Sequence, residues 1–137
     1  MLVCLVIAVS DGDSLTVRCG GPGHYQQHHV RIHAIDAPER WQGFSQAARD
    51  SLAGLCLEKV ARIQRMDTDQ YGRIIGQVEC RSQDAAAHQV RRGMAWVYAH
   101  YAGKRADLLA LEASAQASHT GLWADSHPIA PWLWRRR

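Results

Sequence analysis

The fold is constrained most by how the chain opens. An unbroken apolar run, Leu2 to Val9, leads straight into Ser10-Asp11-Gly12-Asp13 and is followed by the β-branched stretch Ser14–Cys19. Such a run is too short to span a membrane. It also lacks the basic leader and small-residue cleavage site of a signal peptide. It ends in turn chemistry, so it reads as a buried strand feeding a hairpin. The same alternation of short strands and breakers continues. Gly20-Gly21-Pro22-Gly23 is a loop, His28–Ile35 a third strand, Val60–Met66 a fourth and Arg73–Cys80 a fifth. Helical spacing appears over Phe44–Leu57, with Ser45 as a candidate cap, over Asp84–Arg92 ahead of Gly93, and over Lys104–His119 ahead of Gly121.

Hydrophobic residues make up 47% of the 137, enough to bury a core without metals. No repeat or linker divides the chain. The expected fold class is α+β: a five-stranded OB-type β-barrel with three packed helices, in one domain over 1–137, whose stretch 123–137 is a Trp- and Arg-rich tail. The final Arg135-Arg136-Arg137 is expected to be a disordered end. The net charge is +3, and all basic residues except Lys59 and Lys104 are Arg. Arg is the better bidentate partner for phosphate, although a GC-rich coding bias gives the same excess. Cys4, Cys19, Cys56 and Cys80 form no CxxC pair, which argues against structural zinc and leaves their pairing open.

Three polar clusters sit where strands end. Asp11-Gly12-Asp13 offers two hard carboxylates across a tight turn. Arg31 lies beside the apolar Val30, Ile32 and Ile35 in a strand that stops at Asp36-Ala37-Pro38-Glu39, where Pro38 fixes a bend able to aim both acids to one side. Asp67-Thr68-Asp69-Gln70-Tyr71-Gly72 precedes Arg73 at the head of a strand. Taken singly, each reads as an ordinary turn, salt bridge or solvated loop. Their joint order is distinctive.

Asp11-Gly12-Asp13-Ser14, Arg31-Ile32, Ile35-Asp36-Ala37-Pro38-Glu39, Tyr71-Gly72-Arg73, Arg92-Gly93-Met94-Ala95-Trp96-Val97-Tyr98 and Gly121-Leu122-Trp123 together resemble the staphylococcal nuclease (thermonuclease) family from Val9 to Trp123. The resemblance implies an OB barrel and a phosphodiesterase using Ca²⁺, ahead of Mg²⁺ or Mn²⁺. It implies Asp13, Asp36 and the backbone carbonyl of Ala37 as metal ligands, with Asp11 in the outer shell. Arg31 and Arg73 would grip the scissile phosphate, and Glu39 would act on the attacking water. Tyr71, Tyr101 and Tyr98 fall at or near substrate-binding positions, and Gln70 stands where a phosphate-binding Lys is found in the family. The implied substrates are DNA and RNA, single strands preferred, with 3′-phosphate products. The protein is expected to be a monomer without membrane attachment. It is secreted or periplasmic if a leader preceded Met1, and cytoplasmic if the chain is whole. The alternative is a catalytically weak OB-type module that only binds nucleic acid. Retention of all six charged positions favours the enzyme.

Overall fold

The computed structural model describes the whole chain except the side chains of Tyr101 and Ala102. Five strands make the barrel: β1 (Leu2–Asp11), β2 (Ser14–Cys19), β3 (Gln26–Ile32), β5 (Val60–Thr68) and β6 (Ile74–Cys80). They are hydrogen-bonded in the order β3-β2-β1-β5-β6, and parallel pairing of β3 with β6 closes the ring. This is the OB-type closure expected from the strand count. Irregular register between Val6 and Ala8 and between Val9 and Asp11 curves β1, as bulges do in small barrels. Alternate residues then point inward. Val6, Leu15, Val17, Val30, Ile32, Ile63, Ile74 and Val78 are all buried.

The third strand is shorter than its sequence suggests. It stops at Ile32, and the chain turns at His33–Ala34, where Ala34 has φ 76°. Ile35–Asp36 forms a separate strand, β4, paired with β8 (Trp96–Val97). That break swings the Asp36-to-Glu39 segment off the barrel wall. A further short strand, β7 (Gln83–Asp84), extends the sheet beside β6.

Three helices pack on the barrel, as expected. α1 (Ser45–Cys56) buries Ala48, Leu52 and Leu55. Ser45 does not cap it: Phe44, at φ 69°, precedes the first turn, and no side chain bonds the helix start. α2 (Ala85–Arg91) is capped by Asp84, whose carboxylate accepts the N–H groups of Ala86 and Ala87. α3 (Ala106–Ala117) starts later than its periodicity suggests, after a 3₁₀ segment over Ala99–Lys104. Among the described residues no helix is long and apolar enough to cross a membrane.

The cysteine pairing left open by the sequence resolves into two bridges. Cys4–Cys19 ties directly opposed residues of β1 and β2, and Cys56–Cys80 ties the end of α1 to the end of β6. Closing loops of 15 and 24 residues stabilises a fold by about 3 kcal/mol each on the chain-entropy model.

Beyond α3 the chain runs back toward the barrel. Trp123 packs edge-on against Trp96, and a short helix α4 (Pro131–Trp134) sets Trp132 against both Trp96 and Tyr98, with ring centroids 5.7 and 5.9 Å apart. The tail is therefore packed, contrary to the expectation of a disordered end.

Candidate active site

The β1–β2 turn is pressed into the protein. A Cβ at Gly12 would lie 2.6 Å from Ala48 Cβ and 2.8 Å from Ala37 Cβ, so only glycine lets the turn approach both α1 and the segment after β4. The fully buried Gln89 fixes it from below, donating its amide to the carbonyls of Gly12 and Ala48, each at 2.8 Å. Asp11 Oδ1 accepts the Asp13 N–H at 3.1 Å, which aims the Asp13 carboxylate inward. That carboxylate accepts the Ser14 hydroxyl at 3.0 Å and the Ala37 N–H at 2.8 Å.

Arg31 reaches the same place from β3. Its Nη1 donates to the Ile35 carbonyl at 2.8 Å and lies 3.2 Å from Asp13 Oδ2. Its Nη2 lies 3.4 Å from Asp36 Oδ1. The break after Ile32 makes this possible by placing the β4 carbonyl and Asp36 within one side-chain length of Arg31. Arg31 thus bridges the two carboxylates predicted as metal ligands.

The C-terminal tail enters the site as well. Arg135 Nη2 donates to Asp36 Oδ2 at 2.8 Å, and its Nη1 bonds Glu39 Oε1. The expectation that Arg135 belongs to a disordered end is therefore corrected. Ala130 and Pro131 are buried, Trp132 packs on the aromatic cluster, and Gln42 latches the tail. The Gln42 amide donates to the Ile129 carbonyl while its own oxygen accepts the Glu39 N–H at 2.9 Å. One side chain thus sets both Glu39 and the tail that meets it.

The electrostatics follow from this packing. Burial, reinforced by the nearby Asp13 charge, pushes Asp11 up to about 7. Burial also pushes Asp13 up, but Arg31 and the hydrogen bonds from Asp11, Ala37 and Ser14 outweigh it and hold Asp13 below the usual carboxylate range. Burial raises Asp36, against the opposing pull of Arg135 and Arg31. Acids perturbed in opposite directions and packed together are a mark of functional sites.

Among the described residues no three His, Cys, Asp or Glu side chains converge into a metal cluster. Asp13 and Asp36 are nevertheless close enough for one charge to raise the other, and Asp13, Asp36 and Glu39 outnumber Arg31 and Arg135 even with Asp11 left out. Hard oxygens with excess negative charge suit a Ca²⁺ or Mg²⁺ ion that takes water for its remaining ligands. Asp13 and Asp36 are the oxygen donors a divalent cation would use, and it would compete for them with Arg31 and Arg135. Ala37 contacts Asp13 through its N–H.

Arg73 stands apart. At the head of β6 its Nε donates to Asp69 Oδ2 at 2.7 Å, and Asp69 Oδ1 accepts the N–H groups of Tyr71 and Arg73. Arg73 is therefore held within its own loop rather than in the Asp13–Asp36 cluster. Tyr71 and Gln70 are exposed at the tip of that loop. Tyr98 does join the site: with Arg31, Asp36, Ile75 and Arg135 it lines a groove of about 210 Å³. The Tyr101 side chain lies outside the described residues. Sequence reasoning missed Gln89, Gln42 and Arg135. Only the basic tail gave any signal, and it was ambiguous.

The chain matches the family model described as staphylococcal nuclease homologue over residues 29–125. It is 40% identical to an uncharacterized endonuclease of Haemophilus influenzae over 98% of this chain and 73% of that protein. It is 34% identical to a micrococcal nuclease of Shigella flexneri over 96% of this chain and 79% of that one. It is also 33% identical to a probable staphylococcal-like nuclease of Oryza sativa subsp. japonica, over 81% of this chain and 33% of the rice protein. With the barrel, the paired carboxylates and the bridging arginine already described, these similarities place the chain in the staphylococcal nuclease family.

Proposed function

We propose that this protein is a Ca²⁺-dependent, sugar-nonspecific nuclease that hydrolyses DNA and RNA, prefers single strands and leaves 3′-phosphate ends. Family membership makes it a phosphodiester hydrolase; the metal, the strand preference and the products are the proposal. The observation that carries it is the meeting of Asp13, Asp36 and Arg31 where β3 breaks.

Hydrolysis adds negative charge to a phosphate that is already anionic, so fixed cations aimed at that charge supply much of the stabilisation. Arg31 is oriented before substrate arrives, because the Ile35 carbonyl and Asp13 hold its guanidinium. Arg73 would add a second bidentate donor once it exchanges Asp69 for phosphate. Glu39, its backbone set by Gln42, would accept or orient the proton of the attacking water once Arg135 lets go. A divalent ion at Asp13 and Asp36, with the Ala37 carbonyl as a further ligand and Asp11 behind them, would polarise a phosphoryl oxygen. The two disulfides favour an oxidising compartment, and hence export, within this reading.

The test is incubation with single-stranded DNA and RNA in Ca²⁺, Mg²⁺ or a chelator, with the product ends identified. Cleavage that requires Ca²⁺ and yields 3′-phosphates is expected. Binding without cleavage under every metal would instead identify the binding module.

A further inference from the structure

A second groove adjoins the catalytic one. It measures about 350 Å³ and is lined by Glu39, Arg40, Trp134, Arg135 and Arg137. Arg135 lines both grooves, so the outer one opens directly beside Asp36 and Glu39. Two of its lining arginines, Arg40 and Arg137, each sit over an indole ring. The Arg40 guanidinium lies 5.0 Å from the Trp41 ring centroid, and that of Arg137 lies 3.8 Å from the Trp134 centroid. Among the described residues neither Arg40 nor Arg137 forms an ion pair, whereas Arg31, Arg73 and Arg135 all do. Trp41 is 80% exposed and held at φ 73°. A large aromatic side chain rarely adopts that backbone, and here it presents the indole to solvent.

We propose that this outer groove is a polynucleotide subsite, which holds the unpaired nucleotides flanking the scissile phosphate. The proposal rests on the nucleolytic reading above and adds to it where the rest of the strand lies. Arg40 and Arg137 would swing from the indole faces they now cover to take phosphates, leaving Trp41 and Trp134 to stack on bases. Cationic grooves with interleaved aromatics bind single strands in this way, with little sequence preference. Stacking needs unpaired bases, so the groove also gives a physical source for single-strand preference. Folding the tail is what builds it, since Trp134, Arg135 and Arg137 all follow the buried Ala130–Pro131 step.

The test separates binding from cleavage. A fluorescent single-stranded DNA of roughly 12 nucleotides, with phosphorothioate linkages and in EDTA, is titrated with the wild type and with the Arg40→Glu/Arg137→Glu double variant. Both positions are exposed, so the variant is expected to fold, as circular dichroism would verify. Affinity is expected to fall at least ~10-fold, and the log–log salt slope to shrink by about 1.4, two single-strand phosphate contacts at about 0.7 each. Trp134→Leu, which removes the stacking face but no charge, is expected to weaken binding a few-fold with the slope retained. In the cleavage assay, the ratio of kcat/KM on the long strand to that on a dinucleotide is expected to drop by about tenfold in the charge variant. An unchanged affinity, slope and ratio in that variant overturns the subsite, even if the wild type cleaves. Weakened binding by the variant of a protein that cleaves nothing would sustain the subsite and remove the hydrolytic reading.

Discussion

Arg31 and Arg73 are the two arginines expected to hold one phosphate, yet the fold treats them differently. Arg31 projects from a barrel strand into a buried network, with Asp13, Asp36 and a backbone carbonyl all fixing its guanidinium. Arg73 opens a strand at the end of an exposed loop and, among the described residues, is ion-paired only with Asp69 of that same loop. The first half of the site is built by tertiary packing before anything binds. Arg73 is instead held by a local loop device, its guanidinium paired with the Asp69 carboxylate. Preorganisation is thus concentrated where buried charges must be satisfied anyway. Arg73, expected to meet the same phosphate, sits at the end of a solvated loop, where local stability is lowest.

The largest expected effects separate the halves. Arg31→Ala, Arg73→Ala and Glu39→Ala should each lower cleavage at least ~100-fold, as losses of major transition-state donors or bases do. Only Arg31→Ala should also cost stability, by about 2–3 kcal/mol in denaturant unfolding, because it leaves two buried carboxylates short of a partner. Equal unfolding midpoints for the Arg31 and Arg73 variants would erase the distinction. Next in size, Arg135→Ala should tighten Ca²⁺ binding by about tenfold in calorimetric titration, since the ion no longer competes with a guanidinium at Asp36. Weaker Ca²⁺ binding would mean that Arg135 supports the metal seat rather than covering it.

Smallest is Asp69→Asn, which keeps an oxygen for the backbone N–H groups but loses the ionic tether. It should lower KM by about threefold with kcat retained, freeing Arg73 for phosphate. The pH sign is fixed by the wild-type group. Burial would raise Asp69, but the hydrogen bonds from Arg73 and Tyr71 outweigh it and hold the carboxyl below 3.8. The tether is therefore intact above the ordinary carboxylate value and is lost only as pH falls through the lower folded value. The KM ratio of variant to wild type should stay flat from about pH 6 to 9. A ratio drifting across that range would point to another group.

What could be read in the sequence was whatever local chemistry dictates. The turn at Asp11-Gly12-Asp13, the strand carrying Arg31 and the bend at Pro38 are local signals, and the barrel places them together. Gln89 lies 77 residues from Gly12, and Arg135 lies 99 residues from Asp36. Nothing in a local pattern encodes such contacts. The return of Arg135 depends on Trp132 meeting Trp96 and Tyr98, and the break after Ile32 depends on β4 finding β8. The bridges show the same limit: the four thiols were visible, but their pairing awaited β1 lying beside β2 and the end of α1 meeting the end of β6.

The central claim is that two arginines held in such different ways serve one phosphate. A double-mutant cycle in cleavage of single-stranded DNA with Ca²⁺, using Arg31→Ala, Arg73→Ala and the double variant, tests it most directly. Residues that act as a unit are strongly non-additive. The double variant should therefore fall little below the worse single variant. Near-normal cleavage by Arg73→Ala, or losses that multiply in full, would contradict the claim and leave Arg73 a loop residue tied to Asp69.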